Sequence, residues 1–183
     1  MHHIIISDIF GKTKALERFA SAFSESVEIF DPYTSEMIGF KKESDAYNYF
    51  TKSVGLDSYT DSLSRRIQSI SKQVALIGFS IGASAIWKIS NREEIKNISR
   101  ATCFYGSQIR HYKTINPLFT TQLIFPATET HFSVAELIID LSTKKKVTIT
   151  QVTFLHGFMN THSQNFDQAG YSQFTQALCQ VNE

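Results

Sequence analysis

Short apolar runs alternate with amphipathic stretches along this chain of 183 residues. His3 to Ser7 is a β-branched run that reads as a buried strand ended by Asp8. Lys12 to Ser24 then places Ala15, Leu16, Phe19, Ala20 and Phe23 at helical spacing. Val27 to Phe30 is a second short strand, stopped by Asp31-Pro32. Ser44 to Val54 predicts a helix with Ala46, Tyr47 and Phe50 on one face, and Thr60 to Ser71 another through Leu63, Ile67 and Ile70. Val74 to Ile77 is the third strand. A helix over Ile81 to Ser90 follows, then a short polar helix over Arg92 to Ile98 and strands at Arg100 to Tyr105 and Leu123 to Phe125. Val134 to Leu141 and Tyr171 to Val181 are helical. Between them Val147 to Phe154 is a sixth strand whose alternation suits a sheet edge.

Strands separated by helices, with no repeat or low-complexity linker, predict a parallel α/β sheet of about six strands covered on both faces, a three-layer α/β/α sandwich. Ligands bind such sheets at the carboxyl ends of the strands. Asp8 and Ile9, Ser80, Tyr105-Gly106, Glu129 and His156 each follow a different predicted strand, so all fall on that one edge.

The third strand runs into Gly78-Phe79-Ser80-Ile81-Gly82, and a helix begins directly afterwards. Strand, sharp turn and helix are the context in which Gly-x-Ser-x-Gly reads as a nucleophile elbow. A Cβ at Gly78 or Gly82 would crowd the adjoining strand and helix. The free N–H groups and positive dipole end of the helix face charge developing at Ser80. The alternative is an ordinary glycine-bordered turn.

A serine nucleophile needs a base and an orienting acid. Of six histidines, His2 and His3 lie at the wrong end of the first strand. His111, His131 and His162 lie in loops. His156 immediately follows the last strand and can be aimed at Ser80. Glu129 is the only acid in the loop Pro126 to His131, whereas Asp140 falls along a helix and Asp167 beyond the base. The order Ser80, Glu129, His156 matches serine, acid, histidine. A surface-charge role for Glu129 and a backbone-satisfied loop histidine are the competing readings.

Composition narrows the class. An apolar fraction of 42%, a charged fraction of 19% and a net charge of +1 are ordinary for a globular chain and give no case for nucleic acid or anionic membrane as partner. Cys103 and Cys179 have no metal-ligand spacing and read as buried thiols, which suits a reducing, cytoplasmic setting. No metal or other cofactor is expected. The N-terminus lacks the basic and apolar regions of a signal peptide, and no apolar run reaches membrane-span length.

Four patches resemble the dienelactone hydrolase family of α/β-hydrolases: Ser7-Asp8-Ile9-Phe10-Gly11, the elbow, Ala101 to Gly106, and Leu155-His156-Gly157-Phe158. The resemblance implies a minimal α/β-hydrolase fold over residues 1–183 as a single domain with no large cap. It implies that Ile9 and Ile81 supply the oxyanion-hole N–H groups and that Asp8 sits close to the nucleophile. Asp8, Phe10, Phe79, Tyr105, Phe158 and Asn160 are the candidate substrate pocket.

Three positions depart from the family pattern. Ser80 stands where the type enzymes have cysteine, Glu129 where aspartate is usual, and Asn160 where a basic residue helps to bind a substrate carboxylate. A small neutral ester is therefore the expected substrate and a Ser-His-Glu carboxylesterase the leading function. A fold-retaining binding protein without turnover, and a hydrolase of amides or thioesters, are the alternatives. A homodimer is an allowed assembly.

Overall fold

The computed structural model describes residues 1–180. Six strands form one sheet in the order β2-β1-β3-β4-β5-β6, every neighbouring pair parallel. The strands are β1 His2–Ile6, β2 Val27–Phe30, β3 Val74–Phe79, β4 Ile98–Phe104, β5 Thr120–Phe125 and β6 Val147–Gln151. The helices are α1 Lys14–Ala20, α2 Glu43–Ser53, α3 Gly55–Gln68, α4 Ile81–Ile89, α5 Val134–Leu141 and α6 Gln168–Gln180, with a 3-10 helix at Ser107–His111.

Burial explains the strand order. Every residue of β3 is buried, as a central strand covered on both faces requires, while β6 at the edge alternates between half-buried and exposed. One core lies between the sheet and α2 to α5 and includes Leu63, Leu76, Ile86, Trp87 and Leu123. The other includes Phe19, Phe79, Phe104, Tyr105 and Phe158, with Tyr171 and Phe174 of α6 packed against it. Trp87 is fully buried and donates its indole N–H to the Tyr112 carbonyl at 2.9 Å, which satisfies the one polar atom it brings inside.

Apart from strand ends that move by up to three residues, four sequence expectations shift. The helix expected over Lys12 to Ser24 shrinks to α1. Thr13 Oγ1 caps it by accepting from the Leu16 N–H at 3.1 Å, and at its end Ser21 Oγ bonds back to the Arg18 carbonyl at 2.8 Å. Such local bonds compete with the helix ladder, so Phe23 reaches the core from a turn. The helix α3 begins at Gly55 rather than Thr60, because Gly55 at φ +75° breaks α2 and lets a new helix start at once. No helix forms over Arg92 to Ile98. There the Asn97 amide donates to the Ile67 and Ile70 carbonyls at 3.0 and 2.7 Å, capping α3, and Ile98 already belongs to β4. Cys179 is half-buried rather than buried; neither cysteine forms a disulfide. Val181, assigned to the last helix from the sequence, lies outside the described residues.

Between β1 and β3 the chain order reverses direction across the sheet. Loops leaving two adjacent strands for opposite sides open a crevice at their carboxyl ends. Ile9 follows one of these strands and Ser80 the other.

Candidate active site

The elbow is tight because two glycines allow it. A Cβ on Gly78 would stand 2.6 Å from Ile86 Cδ1 and 2.8 Å from the Ala83 nitrogen. A Cβ on Gly82 would stand 2.5 Å from the carbonyl oxygens of Ile6 and Ser7. Between them Ser80 adopts φ 50° and ψ −108°, a conformation costing a non-glycine residue roughly 1–3 kcal/mol. The surroundings impose it: the Ser80 N–H donates to the Phe104 carbonyl at 2.9 Å, and its carbonyl accepts from Ser84 N–H and Ser84 Oγ, each at 3.0 Å.

His156 lies beyond β6, in a loop fastened from beneath. Phe158 is fully buried against Phe104, Tyr105, Phe154 and Phe174. Asn165 Nδ2 donates to the His156 carbonyl at 3.0 Å. Gly157, at φ +89°, passes so close to Ser163 that a Cβ would meet its Oγ at 2.4 Å. On this base the His156 ring reaches Ser80, with Nε2 at 3.0 Å from Ser80 Oγ. Its Nδ1 lies 2.7 Å from Glu129 Oε1. With Nδ1 protonated toward the carboxylate, Nε2 accepts from the serine hydroxyl. Glu129 is 12% exposed at its side chain, which sets it inside the site rather than in open solvent.

The loop after β1 is equally constrained. Asp8 Oδ1 accepts the Phe10 N–H at 2.9 Å, the Gly11 N–H donates to the Asp8 carbonyl at 3.1 Å, and the Tyr33 hydroxyl donates to the Ile9 carbonyl at 2.6 Å. Gly11 takes φ +70° directly against the Tyr33 ring. Among the described residues neither the Ile9 nor the Ile81 N–H donates a hydrogen bond. Both residues line the groove that contains Ser80.

That groove has a volume of about 540 Å³. Ser80, Glu129, His156, Ile9 and Ile81 line it together. The six expected substrate-pocket residues do not. Asp8, Phe79, Tyr105 and Asn160 line a separate cavity of about 30 Å³ bounded by α1. Phe10 is buried and stacks on the His162 ring at 5.5 Å, and Phe158 is core. Burial pushes the Asp8 carboxyl above its usual range, opposed by hydrogen bonds from the Phe10 N–H and the Asn160 amide and by the nearby His156. The groove walls come instead from Tyr47 and Phe50 of α2, Leu56 of α3, Arg110 of the 3-10 helix, and Phe132. Arg110 and Phe132 stand beside two histidines weighed from the sequence: His131 also lines the groove, whereas His111 is exposed and outside the lining. Among the described residues no three His, Cys, Asp or Glu side chains converge in a way that could hold a metal ion. No described helix is long and apolar enough to cross a membrane.

No family model matches the chain. The uncharacterized Bacillus subtilis (strain 168) protein YczH is 31% identical over 175 residues, covering 91% of this chain and 84% of that protein. Among solved structures, a protein described as a dienelactone hydrolase from Klebsiella pneumoniae matches with a TM-score of 0.69 at 11% identity, covering 97% of this chain and 84% of its own. A hydrolase of the α/β superfamily from Xanthomonas campestris matches at TM-score 0.64 and 13% identity, over 98% of this chain and 96% of its own. A dienelactone hydrolase-like promiscuous phosphotriesterase from metagenomic libraries matches at TM-score 0.59 and 11% identity, over 98% and 84%. The chain belongs to the family of Bacillus subtilis YczH and has a dienelactone hydrolase-like α/β-hydrolase fold.

Proposed function

We propose that this protein is a serine hydrolase that cleaves a small carboxylic ester through an acyl-enzyme. The observation that carries the reading is the continuous pair of hydrogen bonds Ser80–His156–Glu129, 3.0 and 2.7 Å long, on a strained elbow. In this reading Ser80 Oγ attacks the ester carbonyl carbon while His156 Nε2 takes the hydroxyl proton. Glu129 holds the ring and stabilises the imidazolium. The tetrahedral oxyanion lies between the Ile9 and Ile81 N–H groups, and each such donor contributes roughly a hundred- to thousandfold in rate. Collapse breaks the ester C–O bond, with His156 returning the proton to the departing alcohol. Water then attacks the acyl-serine with His156 as base, releasing the acid and restoring Ser80.

Several features support this. The groove is of ordinary small-ligand size and Ser80 lines it. Its structural neighbours are hydrolases. The free thiols of Cys103 and Cys179 suit a reducing, cytoplasmic setting.

A fluorophosphonate probe applied to the purified protein tests the reading. Labelling of wild type, its loss in Ser80→Ala, and Ser80-dependent turnover of a 4-nitrophenyl acyl ester are expected. No labelling, or equal labelling of both proteins, would overturn it. Relative turnover of matched ester, thioester and amide substrates then ranks the scissile bonds.

A further inference from the structure

The groove beside Ser80 is lined by a single Lys or Arg among the described residues, Arg110. Elsewhere arginines in ion pairs meet carboxylates: Arg66 binds both oxygens of Glu28 at 2.7 and 2.5 Å, and Arg92 meets Asp61 at 2.8 Å. Arg110 forms no ion pair with a described carboxylate. Its Nη1 donates to the Ser107 carbonyl at 2.7 Å, and its guanidinium stands 5.0 Å from the centre of the Phe132 ring.

These contacts orient the guanidinium without neutralising it. One N–H is committed to Ser107, so the fork keeps donors free. The residue is half-buried, where an unpaired charge is less well solvated than in open water. The acids of the groove do not satisfy it: Glu129 is engaged by His156 at 2.7 Å, and Glu43 is exposed at the first residue of α2. Position matters as well. The 3-10 helix bearing Arg110 follows β4, and β4 pairs directly with β3, whose end carries Ser80.

We propose that Arg110 is a specificity residue that receives an anionic group, a carboxylate or a phosphate, on the part of the substrate remote from the scissile ester. The protein then prefers negatively charged esters. This reverses the neutral-ester expectation drawn from Asn160, because Asn160 does not line the groove and its amide is engaged by Asp8. The inference rests on Ser80 being the nucleophile of the groove.

The test has two arms. The first compares 4-nitrophenyl hydrogen glutarate with neutral 4-nitrophenyl valerate in wild type, Arg110→Gln and Arg110→Lys. The charged-to-neutral ratio of kcat/KM is expected to fall roughly 10- to 100-fold in Arg110→Gln, the scale of a hydrogen bond to a charged group, and by less in Arg110→Lys, which keeps charge but loses the fork. The second arm titrates glutarate, and separately inorganic phosphate, into Ser80→Ala by calorimetry. At least one binds, the preferred anion identifies the class, and binding is lost on adding Arg110→Gln. An unchanged ratio, or no binding of either anion, overturns the proposal. If Arg110→Gln does not fold, Arg110→Lys carries both arms. Absence of fluorophosphonate labelling would defeat the hydrolase reading alone, while the calorimetry still reads anion binding at Arg110.

Discussion

Asn160 donates its side-chain amide to the Asp8 carboxylate at 2.5 Å, joining two loops 152 residues apart in sequence. One loop carries Ile9 and the other His156. Asn160 also organises its own loop: its N–H donates to the Gly157 carbonyl at 2.8 Å, and its Oδ1 accepts the His162 N–H at 2.8 Å. Asp8 in turn holds the Phe10 N–H. The candidate base and a candidate oxyanion donor are thus braced against one another through a single carboxylate.

That carboxylate makes stability depend on pH. Burial holds its folded pKa above the ordinary value of 3.8. Between those two values the native state keeps a proton that the unfolded chain has lost, so stability falls as pH rises through the window. Asp8→Asn removes the titration. Urea denaturation should show wild type at its greatest stability relative to Asp8→Asn at or below about pH 3.8, with the difference declining toward neutral pH. A difference constant with pH would show that Asp8 titrates as it does in the unfolded chain.

Strain at Ser80 can be relieved. At φ 50° and ψ −108° a glycine meets no Cβ penalty, whereas Ser80 does. Ser80→Gly should therefore raise stability by up to about 1 kcal/mol, seen as a Tm gain of roughly 2–4 °C for a domain of this size, while fluorophosphonate labelling disappears. Thermal denaturation of the two proteins provides the check. A lower Tm would mean that the elbow is not strained in solution.

Glu129 is separable from the proposed nucleophile. Replacing it with glutamine keeps the shape but removes the charge that, in the proposed mechanism, stabilises the imidazolium and selects the tautomer protonated at Nδ1. Glu129→Gln should lower kcat for a 4-nitrophenyl ester by roughly 10³- to 10⁴-fold with KM changed far less. A loss smaller than tenfold would assign Glu129 a surface role and leave His156 without an orienting acid.

How much of this was legible beforehand follows from the range of the interactions. The six strands, the elbow and the loop positions of Glu129 and His156 follow from runs of a few residues. Strand burial and tight turns leave local signatures such as Ile4-Ile5-Ile6 and Gly78-x-Ser80-x-Gly82. The absence of a helix at Arg92 to Ile98 was not legible, because Asn97 caps α3 only after both have folded. The groove walls were hidden for the same reason. Tyr47 and Phe50 read as helix positions and Leu56 as part of the link between two helices, and nothing in their spacing says that α2 and α3 border Ser80.

The sequence by itself determined the parallel α/β architecture, the serine on its elbow, and the order in which Glu129 and His156 follow it. Each depends on local backbone preference or hydrophobic period. Only the tertiary structure decided what surrounds them. It moved Asp8, Phe79, Tyr105 and Asn160 to a separate cavity, put Phe158 beneath His156 as a core anchor, and set Arg110 in the groove with no ion-pair partner among the described residues. Which faces of distant loops and helices meet depends on packing across the sheet, and a linear pattern of residue types does not encode those distances.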